Sequence, residues 1–225
     1  MRYYPIFVNL ENRSCLVVGA GAVGKRKIKS LLDSGAGRVT VVDTCQPAPG
    51  FEHVLDQDNV TFLCREFRAQ DLDGQFLVMA CTSSEKVNKN IGDLCKQRNI
   101  LCNIADMPEQ CSFIVPAVVS RGDLTIAVST GGRSPAMAKR IRRDLQESFG
   151  QEYADLLTVM GRIRPLMLGQ GLETPENTDV FRTLVNSDLL AAIKAHDLDA
   201  ATEILKESLP EPLHANIPEL LDGFV

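Results

Sequence analysis

Short apolar runs alternate with longer amphipathic segments through the first half of the chain. Strands are predicted at residues 15–19, 38–43, 60–64, 76–81 and 100–104, and helices at about 23–34 and at 86–98. Strands and helices in alternation are typical of crossover connections that build a parallel sheet. Glycines at 35 and 37 supply the expected end of the first helix. The pattern therefore predicts an α/β fold with a doubly wound parallel sheet.

The pattern changes after residue 106. Two strand-like runs, 111–116 and 124–129, are joined through a stretch of turn composition at 120–123, which predicts a hairpin. Ser134 followed by Pro135 is a typical helix start, and a basic helix is predicted from there toward residue 149. From residue 153 onward the periodicity is helical, with interruptions at 169–171 and 174–175. We predict three parts: a sheet domain at 1–113, a small α+β unit at 114–150 and a helical domain at 151–225.

Composition and charge narrow the class of protein. The 225 residues are 44% hydrophobic and 24% charged, which is typical of a globular protein. The apolar runs fall well short of the roughly 20 residues that cross a bilayer, and the start lacks the layout of a signal peptide. We therefore predict no membrane association and a cytoplasmic location. The net charge of −5 argues against a nucleic-acid partner.

Cysteine and histidine give little sign of a metal site. The seven cysteines form no C-x-x-C pair, and the three histidines are scattered without H-E-x-x-H spacing. We predict buried, reduced thiols and no metal.

A glycine-rich motif marks the junction of the first strand and the first helix. Gly19, Gly21 and Gly24 fit G-x-G-x-x-G, with Ala22 and Val23 between the last two. In a dinucleotide-binding turn these glycines allow the sharp bend, the approach of a pyrophosphate, and close packing of helix on strand. The alternative is an ordinary tight turn. Together with the predicted sheet, the motif indicates a Rossmann-type domain.

Polar residues at the ends of later strands extend this site. Asp43 closes the second strand, 19 residues after the last glycine of the motif, where a carboxylate can accept hydrogen bonds from the adenosine ribose and disfavour a 2′-phosphate. We therefore predict NAD as the cofactor, with Thr44 beside it; the alternative for Asp43 is a residue that starts a loop. Thr82 follows another strand and is placed in the same crevice, or else caps the next helix with Ser83 or Ser84.

Several segments in one order resemble the precorrin-2 dehydrogenase module of sirohaem synthases. They are residues 5–7 (PIF), 15–21 (CLVVGAG), 25–27 (KRK), 102–106 (CNIAD) with Pro108, 112–116 (SFIVP) and 128–135 (VSTGGRSP), and they cover about residues 1–150. The helical tail is similar to that family more loosely. The resemblance implies NAD-dependent oxidation of precorrin-2 to sirohydrochlorin and a homodimer formed largely through the middle unit. The methyltransferase domain of larger sirohaem synthases is not expected in this chain.

The resemblance also implies a catalytic residue. In the family, the aspartate of the N-x-x-D-x-P segment is tied to catalysis, and here it is Asp106. Oxidation of the macrocycle transfers a hydride to the nicotinamide and a proton to a base, so we assign Asp106 as general base. The alternative is a turn aspartate before Met107 and Pro108.

The basic helix gains a role under this interpretation, because a tetrapyrrole with many carboxylates needs cations. Substrate-binding candidates are Thr130, Arg133, Ser134, Lys139, Arg140 and Arg143. The alternative for each cation is a solvated surface or an ion pair in the dimer. The family often carries serine at the position of Thr130.

Two other functions remain open from the sequence. The same fold could also insert iron or cobalt into sirohydrochlorin, with Asp106 shuttling pyrrole protons. A protein that senses NAD, with the basic helix on nucleic acid, is a third hypothesis; the overall acidity and the lack of a helix-turn-helix signature disfavour it.

Overall fold

The computed structural model describes residues 3–47, 51–170 and 174–223, without the side chains of 174–176. The chain divides into two compact units, Met1–Val115 and Pro116–Val225. Among the described residues, no helix combines the length and apolar character needed to cross a membrane.

The first unit contains a five-stranded parallel sheet, as predicted. Its strands are β1 (Ser14–Val18), β2 (Arg38–Asp43), β3 (Val60–Cys64), β4 (Leu77–Ala80) and β5 (Leu101–Ile104). Their order is β3-β2-β1-β4-β5. Successive strands are added on one side of β1 up to β3 and on its other side from β4 onward, so the strand order switches between β1 and β4. Ligands of such sheets bind outside the carboxyl ends of the strands at this switch point.

Helices cover both faces of the sheet, because alternate strand residues point to opposite sides. The helices of this unit are α1 (Ala22–Asp33), α2 (Glu52–Leu55) and α3 (Glu85–Gln97), with 3-10 turns at Ala69–Leu72 and Pro108–Gln110. In β1, Val17 packs with Ile28 of α1 in one cluster, whereas Leu16 and Val18 belong with Ile91 of α3 to the other. The doubly wound arrangement is therefore confirmed.

The second unit begins with an antiparallel hairpin of β6 (Ala117–Arg121) and β7 (Leu124–Val128). Helix α4 (Pro135–Ser148) follows, starting at the predicted proline. The helices after it are α5 (Glu152–Gly169), α6 (Thr174–Asn186), α7 (Leu189–Lys194), α8 (Leu198–Ser208) and α9 (Ile217–Leu220), with a 3-10 turn at Glu211–Asn216. A continuous apolar cluster that includes Val159, Ile163, Leu184 and Leu205 holds these helices together. The predicted helical region is confirmed; its interruption at 169–171 lies partly outside the described residues.

The strand predicted at 111–116 is wrong, since the first strand of the hairpin is Ala117–Arg121. The apolar run instead lies along β5. The Ser112 N–H donates to the Cys102 carbonyl at 2.9 Å, but the Ser112 hydroxyl accepts the Cys102 N–H at 2.7 Å in place of a backbone carbonyl. Pro116 has no N–H to donate, so a regular ladder does not continue.

The prediction of buried thiols holds only in part. All seven cysteines are free, and Cys15, Cys81, Cys95 and Cys102 are buried. Cys45 and Cys64 are exposed, so the prediction is wrong for these two. Both lie at or just after the carboxyl end of a strand, where the sheet opens to solvent.

Candidate functional site

The turn between β1 and α1 is shaped by two of its glycines. Gly19 has φ of 96°, and a Cβ there would lie 2.6 Å from the carbonyl oxygen of Cys81. A Cβ on Gly24 would collide with the carbonyl oxygen of Gly19. Because neither position carries a side chain, the start of α1 can lie close to the ends of β1 and β4. This is the packing expected of a dinucleotide-binding turn.

Gly21 differs from the other two because a Cβ there would meet nothing within 4 Å. It is the N-cap of α1 and supplies no side-chain cap to the first turn, which also contains no acidic residue. The N–H groups at a helix N-terminus favour an anion. The turn therefore offers open space and free backbone donors to a pyrophosphate.

Asp43 stands at the end of β2, next to this turn. Its Oδ2 accepts a hydrogen bond from the Ala20 N–H, and its Oδ1 accepts one from the Cys45 N–H at 2.8 Å. Each carboxylate oxygen has a second lone pair. The side chain thus fixes the glycine turn while retaining the capacity to accept from a ribose.

Thr82 follows β4 and is hydrogen-bonded to Asn88, a residue that was not predicted from the sequence. The Thr82 N–H and hydroxyl donate to Asn88 Oδ1 at 3.1 and 2.7 Å, and Asn88 Nδ2 donates to the Thr82 carbonyl at 3.0 Å. Asn88 is buried, with only 4% of the residue exposed. The cap of α3 is Ser84, whose hydroxyl accepts from the Val87 N–H at 3.4 Å. Thr82 is therefore a cleft residue and not the cap.

Asp106 lies just beyond β5 in the left-handed region, with φ of 60°. Its loop is closed by Cys111, whose single S–H is shared between the carbonyl oxygens of Ile104 and Met107, each 3.4 Å from the sulfur. Asp and Asn tolerate this backbone region better than most residues. The carboxylate is exposed and projects at the carboxyl edge of the sheet.

One cleft of about 680 Å³ in the first unit collects most of these residues. Of the predicted cofactor and catalytic residues, those that line it are Gly19, Gly21, Ala22, Val23, Asp43, Thr44, Thr82 and Asp106. Gly24 does not line it and acts in packing instead. Residues that sequence reasoning missed include Arg65, Glu66, Phe67, Ser83 and Asn90.

The ionisation of the groups near the cleft follows from burial. Burial raises the pKa of the Cys81 thiol to about 11, so this thiol stays protonated at neutral pH. Burial also lowers the pKa of Lys27 on α1. Within the described residues, no group of three or more His, Cys, Asp or Glu is arranged to hold a metal ion.

The predicted substrate residues lie in the second unit, and the loop before α4 is internally bonded. Thr130 Oγ1 donates to the Ser134 carbonyl at 3.0 Å and accepts from the Ser134 N–H at 3.2 Å. The Ser134 hydroxyl caps α4 by accepting from the Met137 N–H at 3.2 Å. Gly131 and Gly132, with φ of 62° and 82°, turn the chain between them. Ser134 is therefore a structural cap as well as a candidate ligand.

The four basic candidates are exposed. Arg133 lies in the loop, and Lys139, Arg140 and Arg143 lie on α4, where spacings of three and four residues place them on one face. Arg140 forms a loose ion pair with Asp144 at 4.0 Å. Such an exposed pair costs little to break. The face can therefore accept carboxylates.

The fold and the cleft define a dinucleotide-binding α/β protein, and comparison with known proteins gives its family. Residues 6–117 match a family described as putative NAD(P)-binding, and residues 121–148 match one described as sirohaem biosynthesis protein central. The chain belongs to the precorrin-2 dehydrogenase and sirohaem synthase N-terminal module family. The resemblance drawn from the sequence and the predicted nicotinamide dinucleotide cofactor are thereby confirmed.

Individual relatives agree with this assignment. The chain is 34% identical over 197 residues to siroheme synthase 1 of Yersinia pestis, covering 88% of this chain and 41% of the relative. It is 34% identical over 214 residues to siroheme synthase 2 of Klebsiella pneumoniae, covering 95% of this chain and 46% of the relative. The chain thus spans less than half of these relatives. The solved structure of SirC, a precorrin-2 dehydrogenase, matches with a TM-score of 0.76 and 25% identity over 91% of this chain and 98% of SirC.

Proposed function

We propose that this protein is an NAD-dependent dehydrogenase that oxidises precorrin-2 to sirohydrochlorin. The observation that carries the proposal is that the glycine turn and Asp106 line one cleft at the switch point of the sheet. SirC, a precorrin-2 dehydrogenase, has the same fold over nearly its whole length.

The residues of the cleft fit a dinucleotide. The open N-terminus of α1 suits a pyrophosphate, and Asp43 at the end of β2 suits the ribose hydroxyls and disfavours a 2′-phosphate. Bound NAD would supply the acceptor for the hydride. Asn88, through Thr82, keeps the β4–α3 loop in place against the glycine turn.

Asp106 is the proposed general base. Removal of two hydrogen atoms from the macrocycle releases one hydride ion and one proton. The hydride carries both electrons, and a base must take the proton. The carboxylate of Asp106 would take that proton and return it to solvent, to which the side chain is exposed. Its left-handed backbone, fixed by the Cys111 thiol, holds the carboxylate at the edge of the cleft.

We propose that residues 114–150, of which all but the first two lie in the second unit, serve substrate recognition and assembly. We propose that Arg133, Lys139, Arg140 and Arg143 bind the carboxylates of the tetrapyrrole, with Thr130 and Ser134 shaping the loop. Residues 114–150 would form the homodimer, with residues 151–225 as a separate helical domain. Exposed apolar side chains on β6 and α4, among them Val118, Met137 and Ile141, support this use of the unit.

A second activity is insertion of iron or cobalt into sirohydrochlorin. Its support is the similarity to proteins named siroheme synthases. The pyrrole nitrogens would then lose their protons to Asp106.

The test is anaerobic incubation of the purified protein with precorrin-2 and NAD. We expect NADH and sirohydrochlorin to form together in a ratio of one to one, and parallel samples with Co(II) or Fe(II) report the second activity. Absence of both products from protein that binds NAD would contradict the proposed substrate.

A further inference from the structure

We propose that Asp71 is a specificity-determining residue, which holds the guanidinium of Arg65 and so denies the 2′-phosphate of NADP a cation at the adenosine end of the cleft. This inference rests on the proposed dinucleotide function and adds a residue outside the glycine turn and the strand-end acid.

Arg65 lies next to Asp43 at the carboxyl ends of β2 and β3. In the parallel pairing of β2 and β3, Asp43 lies opposite Cys64, and Arg65 is the next residue. The Cys64 thiol donates to the Thr44 carbonyl at 3.8 Å, so the segments that follow β2 and β3 remain adjacent at the ends of the strands. Asp43 and Arg65 both line the cleft. The guanidinium therefore belongs to the end of the cleft where Asp43 would meet the adenosine ribose.

The guanidinium is occupied by Asp71. Arg65 Nη1 and Nη2 donate to the two carboxylate oxygens of Asp71 at 2.9 and 2.7 Å, and Nη1 also donates to the Glu66 carbonyl at 2.9 Å. Asp71 accepts a further bond from the Arg68 N–H at 2.8 Å, and its side chain is only 7% exposed. The hydrogen bond with Arg65 lowers the pKa of Asp71, so the pair is ionised at neutral pH. Three of the five N–H donors of Arg65 are thereby committed.

The cleft is otherwise acidic, so the pairing of Arg65 with Asp71 affects how well the cleft can bind a further anion. Among the described residues, Arg65 is the one cation that lines the cleft, against the acids Asp43, Glu66 and Asp106. A 2′-phosphate brings nearly two further negative charges, and arginine is the side chain best suited to bind it in bidentate fashion. With Arg65 neutralised by Asp71, the adenosine end repels that phosphate. Two features then disfavour NADP: the Asp43 carboxylate repels the 2′-phosphate, and the ion pair with Asp71 keeps Arg65 from binding it.

The experiment is calorimetric titration of the full chain with NAD and with NADP, without tetrapyrrole. Asp71→Asn keeps an oxygen for the Arg68 N–H but removes the charge that holds Arg65. We expect NADP to bind about tenfold more tightly, the gain of one charge-assisted hydrogen bond. NAD affinity should stay within about twofold, because Arg65 has no phosphate to meet there.

Two controls separate the effect of Arg65 from a general change of charge. Asp73 lies two residues further on, pairs with Arg98 at 2.6 Å and does not line the cleft. Asp73→Asn removes the same charge nearby and should change neither affinity. The double variant Asp71→Asn with Arg65→Met should lose the gain for NADP. Asp71→Ser, whose hydroxyl can also accept from the backbone, repeats the test if the asparagine variant does not fold.

The outcomes are distinct. A folded Asp71 variant that binds NAD normally but gains no affinity for NADP overturns the inference, and so does a gain that persists without Arg65. A wild-type protein that binds neither dinucleotide overturns the proposed function together with this inference.

Discussion

Replacing Asn88 with alanine should loosen the loop that carries Thr82. The substitution removes three hydrogen bonds of 2.7 to 3.1 Å and leaves the Thr82 N–H and carbonyl without their partner. Each such bond contributes a net ~1 kcal/mol, so the free energy of unfolding of the first unit should fall by about 2–4 kcal/mol. NAD affinity should fall as well, because the same loop lies against the glycine turn at Cys81 and Thr82.

Urea denaturation and NAD titration measure these two effects. Asn90 provides the matched control, because it is the same residue type on the same helix, lines the cleft and is exposed. Asn90→Ala should change the free energy of unfolding by less than about 0.5 kcal/mol. If Asn88→Ala costs no more than Asn90→Ala, the account of Asn88 as the support of Thr82 is refuted.

Three further predictions concern the turn, the cap and the ion pair. Gly19→Ala should destabilise the protein by at least about 1 kcal/mol because φ is 96° at this position. Gly21→Ala should leave stability unchanged and weaken NAD binding. Equal unfolding midpoints for Gly19→Ala and wild type would refute the first expectation. Ser134→Ala should cost about 1 kcal/mol in thermal unfolding through loss of the α4 cap, and Ser134→Thr should restore most of it. Because Arg65 holds the pKa of Asp71 below its usual range, the stabilisation from this pair is present above about pH 4 and lost as pH falls through the lowered pKa. The stability gap between wild type and Asp71→Asn should therefore shrink from pH 7 to pH 3, and a gap that grows would contradict the assignment.

Local periodicity was enough to predict the sheet of the first unit. Strands such as β1 and β2 are buried on both faces, so their apolar runs stand out between turn residues. The run at 111–116 has the same appearance, but its pairing with β5 uses the Ser112 hydroxyl and stops at Pro116. A side chain that replaces a backbone acceptor leaves no trace in the hydrophobic pattern, which is why the strand was misplaced.

The candidate site was predicted where it follows strand ends and missed where it depends on tertiary contacts. Gly19 and Asp43 occupy fixed positions in a local strand–helix–strand unit, so their spacing identifies them. Asn88 looks like an ordinary polar residue of an amphipathic helix; a Thr six residues before an Asn at a buried helix position is the one signal that could have found it. Arg65 and Asp71 are likewise recognised only once β3 is placed beside β2.

If the dinucleotide and Asp106 act in one cleft on precorrin-2, single-turnover oxidation must depend on the Asp106 carboxylate, which Asp106→Asn removes. NAD affinity and the rate of NADH formation are measured on wild type, Asp106→Asn and Glu109→Gln, an exposed acid of the same loop that does not line the cleft. NAD affinity should be the same in all three proteins, and the rate should fall by at least about a hundredfold for Asp106→Asn alone. A rate for Asp106→Asn equal to that of Glu109→Gln would contradict the role of Asp106 as general base.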